Sequence, residues 1–161
     1  MNGRRLLRLL PLALALALCV SACSKEPSRW DQVATAQLPA RSEPKVEGAK
    51  LNAFFPADGT DGFGRVFTQE KEGFVEAKLK KDGQDVATLA ISDASNDEGV
   101  KAKYATASDK LQDQPLVTVG KNQSAVLVNQ KFQVKVSSPT LDAAARKALL
   151  SKFDLNGLTK L

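Results

Sequence analysis

Apolar positions fall into two regimes along this chain. From Leu9 to Val20 they run without a break. From Val46 onward they recur at intervals of two or of three to four, the periods of strands and of helices. Val46, Ala49, Leu51, Phe54 and Phe55 predict a short helix that stops at Pro56. Ala57-Asp58-Gly59-Thr60-Asp61-Gly62 is a turn cluster. Phe63 to Lys71 predicts a strand, with Glu72-Gly73 as its turn. From Phe74 to Lys81, Val75, Ala77 and Leu79 alternate with Glu76, Lys78 and Lys80, the pattern of a strand with one buried and one wet face. Asp82-Gly83 suits the left-handed residues of a type I′ hairpin. The return strand, Asp85 to Ser92, turns Ala87, Leu89 and Ile91 inward.

The second half starts with a helix. Ser95 or Asn96 can cap free amides, and Asp97 and Glu98 suit the positive end of a helix dipole. Val100, Tyr104, Ala107 and Leu111 form its apolar stripe, and Pro115 forbids continuation. Strands follow at Leu116 to Val119, Ser124 to Val128 and Phe132 to Ser137, with turns at 120–123 and at Asn129-Gln130. Thr140 caps a last helix whose apolar side is Leu141, Ala145, Ala148, Leu149 and Phe153. Gly157 is read as its stop, and Leu155, Leu158 and Leu161 as a closing tail on the core.

These elements give two successive β-β-β-α units that do not align residue by residue. They predict an α+β fold: a mainly antiparallel sheet of about six strands, with two or three helices packed on one face and the other face wet.

The first regime has a different meaning. Arg4, Arg5 and Arg8 precede the apolar run, and the small residues Ser21 and Ala22 follow it. A charged start, a short apolar middle and a small-residue exit make a secretory signal. The run is shorter than the roughly 20 residues that a transmembrane helix needs. Val20-Ser21-Ala22-Cys23 resembles the lipobox of bacterial lipoproteins. The resemblance implies cleavage before Cys23, a diacylglyceryl thioether on its sulfur and often an acyl group on the new amino terminus. Ser24 in the next position is similar to lipoproteins sent to the outer membrane, facing the periplasm, in bacteria with two membranes. The expected organisation is therefore a cleaved signal at 1–22, a lipidated tether at 23–45 and one α+β domain at 46–161.

Export changes how composition is read. The full chain carries formal charge +5, but three arginines leave with the signal, so 20 basic residues face 18 acidic ones and the remainder is +2. That mild scatter does not predict a nucleic-acid partner. Cys19 belongs to the signal and Cys23 to the lipid, so no disulfide is expected, and the chain holds no histidine. Ser-His and Cys-His nucleophile pairs and the usual zinc sites are thereby excluded. Prolines 27, 39 and 44 break the tether. As a coil it spans about 25 Å, and fully stretched about 70 Å. Trp30, the single tryptophan, lies within it and either rests on the domain or the lipid interface or anchors a partner.

Candidate chemistry is sparse. Asp93, Ser95, Asp97 and Gly99 superficially match a calcium loop, but the glycine falls late and Tyr104 stands where a bidentate glutamate belongs, so helix capping is the reading. Ser42-Glu43-Pro44-Lys45 has Ser-x-x-Lys spacing, but its proline works against the helix that would bring lysine under serine. Asp58 and Asp61, in a glycine-rich loop, are candidates to hold a cation or to act as an acid–base pair, and Phe63 between Gly62 and Gly64 is a candidate ligand-binding lip or a hydrophobic staple for the first strand. Lys78, Lys80 and Lys135 face outward on strands and form a candidate surface for anionic glycan or lipid phosphate. No catalytic residue, metal ligand or cofactor is assigned. The expected function is a membrane-anchored, envelope-facing binding or interaction module with an envelope protein or anionic glycan as partner. The alternative is a hydrolase or ligand-processing enzyme using Asp58, Asp61 or Asp93.

Overall fold

Burial follows period-two alternation residue by residue along Phe74–Lys81 and Phe132–Ser137, while Ser124–Val128 is buried on both sides. The structure, a computed structural model, describes residues 44–161. Cys23, Trp30 and Ser42 lie outside the described residues. Helix α1 (Gly48–Leu51) runs into a 3-10 turn over Asn52–Phe54, and a second 3-10 turn covers Thr60–Gly62. Strands β1 (Gly64–Lys71), β2 (Phe74–Lys81) and β3 (Gln84–Asp93) form a meander. Helix α2 (Glu98–Ala105) leads into β4 (Asp109–Leu111), β5 (Gln114–Val119), β6 (Gln123–Val128) and β7 (Phe132–Ser137). Helices α3 (Ala143–Leu150) and α4 (Leu155–Leu158) close the chain.

All seven strands form one antiparallel sheet in the order β1-β2-β3-β7-β6-β5-β4. The two meanders meet where β3 pairs with β7, with Leu89 opposite Val136 and Ile91 opposite Val134. That register puts the inward rows of both halves on one face. There they join Leu51, Phe55, Leu149, Leu150, Phe153, Leu155 and Leu158 from the helices and their connections. Nineteen buried residues make up this cluster, against four in a second cluster on the opposite face. At roughly 1.5–3 kcal/mol for each fully buried large aliphatic side chain, the first face carries most of the stability. No helix among the described residues is long and apolar enough to cross a membrane.

The fold is α+β with a mainly antiparallel sheet, and the differences from the sequence pattern have physical causes. The 95–111 helix ends early, at Ala105. Gln112 and Asp113 both adopt left-handed backbone (φ 49° and 64°), so Leu111 becomes the end of β4, a seventh strand, and packs against the core at the sheet edge. The N-cap of α2 is Asp97, whose carboxylate accepts from the Val100 amide at 2.8 Å. Helix α2 covers the second face of the sheet, so the helices do not all share one face. Tyr104 lies there with Ala94, Ala125 and Leu127.

Helix α3 is capped by Asp142, not Thr140, and is rolled from its expected orientation. Arg146, Leu149, Leu150 and Phe153 face inward, while Ala145 and Ala148 stay at the surface. Burying Leu150 removes more apolar area from water than burying two alanines, and the roll takes Arg146 in with it. Gly157 is no terminator; its amide receives the Asp154 cap inside α4. Leu155 and Leu158 are buried as expected, but Leu161 is 43% exposed.

Candidate functional site

The second face of the sheet holds a groove of about 200 Å³ between α2 and strands β5, β6 and β7. Alternation along the strands builds its floor. Because Leu116, Val126 and Val134 point into the main core, Val117, Ala125 and Gln133 must point the other way. Val117 and Ala125 are cross-strand partners, and Val119 continues the apolar row to a rim where it is 49% exposed. Val100 and Tyr104, one helical turn apart on α2, form the wall.

Polar groups converge on this apolar floor. Lys135 follows Gln133 on β7 and stands beside Ala125 of β6, while Lys103 comes from α2. Gln133 Nε2 donates to the Tyr104 hydroxyl at 2.9 Å. Burial pushes the Tyr104 phenol up to about 12, against a smaller opposing effect of the Gln133 hydrogen bond. The ring therefore stays a neutral hydrogen-bonding group across the physiological range.

Elsewhere on this face two lysines are already engaged. Lys78 and Lys80 both reach Asp85, at 2.5 and 2.7 Å. The Asp85 carboxylate holds the Lys78 ammonium above its ordinary range, and the two lysines hold Asp85 below the usual carboxylate range. Thr68 Oγ1 donates to Glu76 Oε1 at 2.9 Å. Among the described residues, neither Lys103 nor Lys135 has a carboxylate within ion-pair distance. Lys78 and Lys80 are thus separated from Lys135 by what they bind, although all three occupy the same face.

Asp58, Asp61 and Phe63 lie elsewhere. Asp58 Oδ1 accepts from the Arg65 amide at 2.6 Å, which ties the loop to the start of β1. Asp61 pairs with Lys152 at 3.4 Å. Asp61 and Phe63 together line a shallow apolar groove of about 180 Å³ against Leu141, Ala145, Ala148 and Leu149. Asp93 accepts from the backbone amide and hydroxyl of Ser95, and Asp97 caps α2, so the calcium-like spacing is spent on local turns. A polar recess of about 340 Å³ joins these residues to Lys45 and Glu98. Among the described residues no group of three or more acidic, thiol or imidazole side chains is placed to hold a metal ion.

Most of the α2 groove escaped the sequence reading. Val117 and Val119 read as ordinary strand positions, and Tyr104 as one member of a helical stripe. The available signal was the unbroken run Ala125-Val126-Leu127-Val128. A strand apolar on both sides must be covered on both sides, which places a helix over the second face and Tyr104, the only tyrosine, above it.

Fold and groove together define a class: a single antiparallel sheet, helix-covered on one face and partly covered on the other, with an open amphipathic groove in the partial layer. Comparisons with protein-family models, with curated proteins and with solved structures find no match.

Proposed function

We propose that this protein is a membrane-anchored, envelope-facing lipoprotein whose folded part is a non-catalytic binding or interaction module. The Arg-rich start, the apolar run and the Val20-Ser21-Ala22-Cys23 sequence support the anchor. Two acyl chains give stable attachment where one gives only marginal binding. A tether of about 25 Å keeps the domain close to the bilayer. The observation that carries the binding role is the groove beneath α2. It pairs an apolar floor with two lysines that lack carboxylate partners among the described residues, on a face where Lys78 and Lys80 are matched by Asp85. A few polar groups converging on an apolar concavity is the ordinary form of a ligand site.

The test is made on protein purified from its native host. Its N-terminal peptide is expected to begin at Cys23 and to carry acyl chains by mass spectrometry. A bare sulfur or a retained leader overturns the anchor. Material captured with the wild-type chain is expected to be lost with Val119→Glu, a change at the groove rim, and kept with Lys121→Gln outside it. Capture that does not change between the two variants overturns the groove as the binding face.

A further inference from the structure

The hydrogen-bond inventory of the groove is unbalanced toward donors. Gln133 and Tyr104 satisfy each other only once. With Gln133 Nε2 donating to the hydroxyl, the Tyr104 proton has no acceptor among the described residues. With the amide turned over, its oxygen would accept that proton and leave the NH₂ group without an acceptor. Either arrangement leaves a donor over at the groove. The first also leaves the Gln133 carbonyl oxygen over, and Gln123 on the lining adds an amide that both donates and accepts, so the excess of donors comes from the lysines. Lys135, half-buried on the sheet, and Lys103, exposed on α2, add two ammonium groups. Among the described residues no carboxylate lines the cavity. The nearest acid on the Lys135 row is Glu76, two strands away by register through Ala90, and it is engaged by Thr68. Cations beside an apolar surface, with no counter-charge among the described residues, favour an anion. Below them Val117, Val119 and Ala125 offer only apolar surface.

We infer that the groove binds a small amphiphilic monoanion, with its charged head between Lys135 and Lys103 and its short apolar body on Val117, Val119 and Ala125. This assignment rests on the reading of the groove as the module's binding face and adds the ligand class. The neutral Tyr104–Gln133 pair supplies the directional hydrogen bond. The volume of about 200 Å³ limits the body to a short chain or a single ring, and a whole phospholipid does not fit inside.

Octanoate serves as the probe, titrated calorimetrically into the full chain held in phosphatidylcholine nanodiscs, with empty nanodiscs subtracted. Saturable binding is expected, weakened about tenfold or more by Lys135→Gln, since a hydrogen bond to a charged group contributes roughly 1.5–3 kcal/mol. Lys103→Gln weakens it less, and Lys121→Gln leaves it unchanged. Octanol, which has the same chain without the charge, binds at least tenfold more weakly. Nanodiscs containing phosphatidylglycerol leave octanoate binding unchanged if the ligand is a free monomer; competition by them places the anion on a membrane lipid and overturns the monomer assignment. Absence of octanoate binding, equal binding of octanol, or indifference to Lys135→Gln overturns the ligand class. The underlying reading is scored separately by Val119→Cys carrying a photocrosslinker. An adduct formed there in native envelopes, with no octanoate binding in the nanodiscs, keeps the groove as an interface while the amphiphile fails.

Discussion

Gln133 Nε2 on β7 donates to the Tyr104 hydroxyl on α2 at 2.9 Å, the hydrogen bond that fastens the helix over the second face of the sheet. Tyr104 is the only tyrosine in the chain, so its ionisation can be followed by ultraviolet difference absorbance without interference from another phenol. Its midpoint is expected near 12 instead of the ordinary 10.0. A midpoint near 10 would show the ring to be solvated and α2 not seated.

The same shift fixes a sign for stability. The folded-state value is raised, so the contribution of the neutral phenol is fully present below pH 10 and is lost as pH rises toward 12. The loss attributable to this residue is about 2 kcal/mol across that window. Lysines titrate in the same range, so the quantity to measure is the difference from Tyr104→Phe by chemical denaturation. Wild type is expected to fall relative to Tyr104→Phe above pH 10, and parallel curves would refute the burial of the ring.

Asp85 is shared by Lys78 and Lys80. Its lowered carboxyl contributes stability that is present above the ordinary 3.8 and is lost as pH falls below it. The raised Lys78 contributes below the ordinary 10.5 and loses its contribution as pH rises beyond it. Asp85→Asn should therefore differ from wild type most between those limits and progressively less beyond them, and the difference should shrink in high salt because all three side chains are exposed at the surface. Retention on anionic vesicles is expected to rise in the variant, since two ammonium groups are released.

Arg146 is 1% exposed, and its described hydrogen-bond partners are neutral: Ser124 Oγ at 3.1 Å and the Leu141 carbonyl at 2.5 Å. A buried cation with no acid beside it is costly. Arg146→Met combined with Ser124→Ala keeps volume and removes the cation and the hydroxyl, leaving only the part-buried Leu141 carbonyl without its donor, so it is expected to stay within about 1 kcal/mol of wild type. Arg146→Ala leaves a cavity and an orphaned hydroxyl and should cost about 2–4 kcal/mol. Thermal and urea unfolding distinguish the two, and a double variant that unfolds like Arg146→Ala would show that the guanidinium is needed where it lies.

Gly48 tests the seating of α1. A Cβ there would lie 2.7 Å from the Lys71 carbonyl oxygen and 2.9 Å from its nitrogen, both backbone atoms that cannot turn aside. Gly48→Ala should cost about 1–3 kcal/mol, although alanine is the better helix former. A stabilised variant, measured by urea denaturation, would show that α1 does not lie against β1.

The existence of six of the seven strands, and the facing of those that alternate, were legible from residue order alone. The alternations Val75-Ala77-Leu79 and Phe132-Val134-Val136 each leave one face to bury, and Asp82-Gly83 takes the left-handed backbone that its residue types favour (φ 50° and 78°). The expected leader and lipidated Cys23 rest on local pattern and lie outside the described residues. Competition between distant groups settled the rest. Leu111 left its helical stripe because a left-handed turn and an open sheet edge gave it a place in the core. Arg146 went inside because Leu150 outweighed two alanines. Lys80 and Lys135 share a face but parted company because Asp85 stands beside one and not the other. Periodicity determines which way a side chain points within its own element. What it meets there depends on register, helix roll and nearby charge, each set by residues far away in the chain, and so the groove exists only in three dimensions.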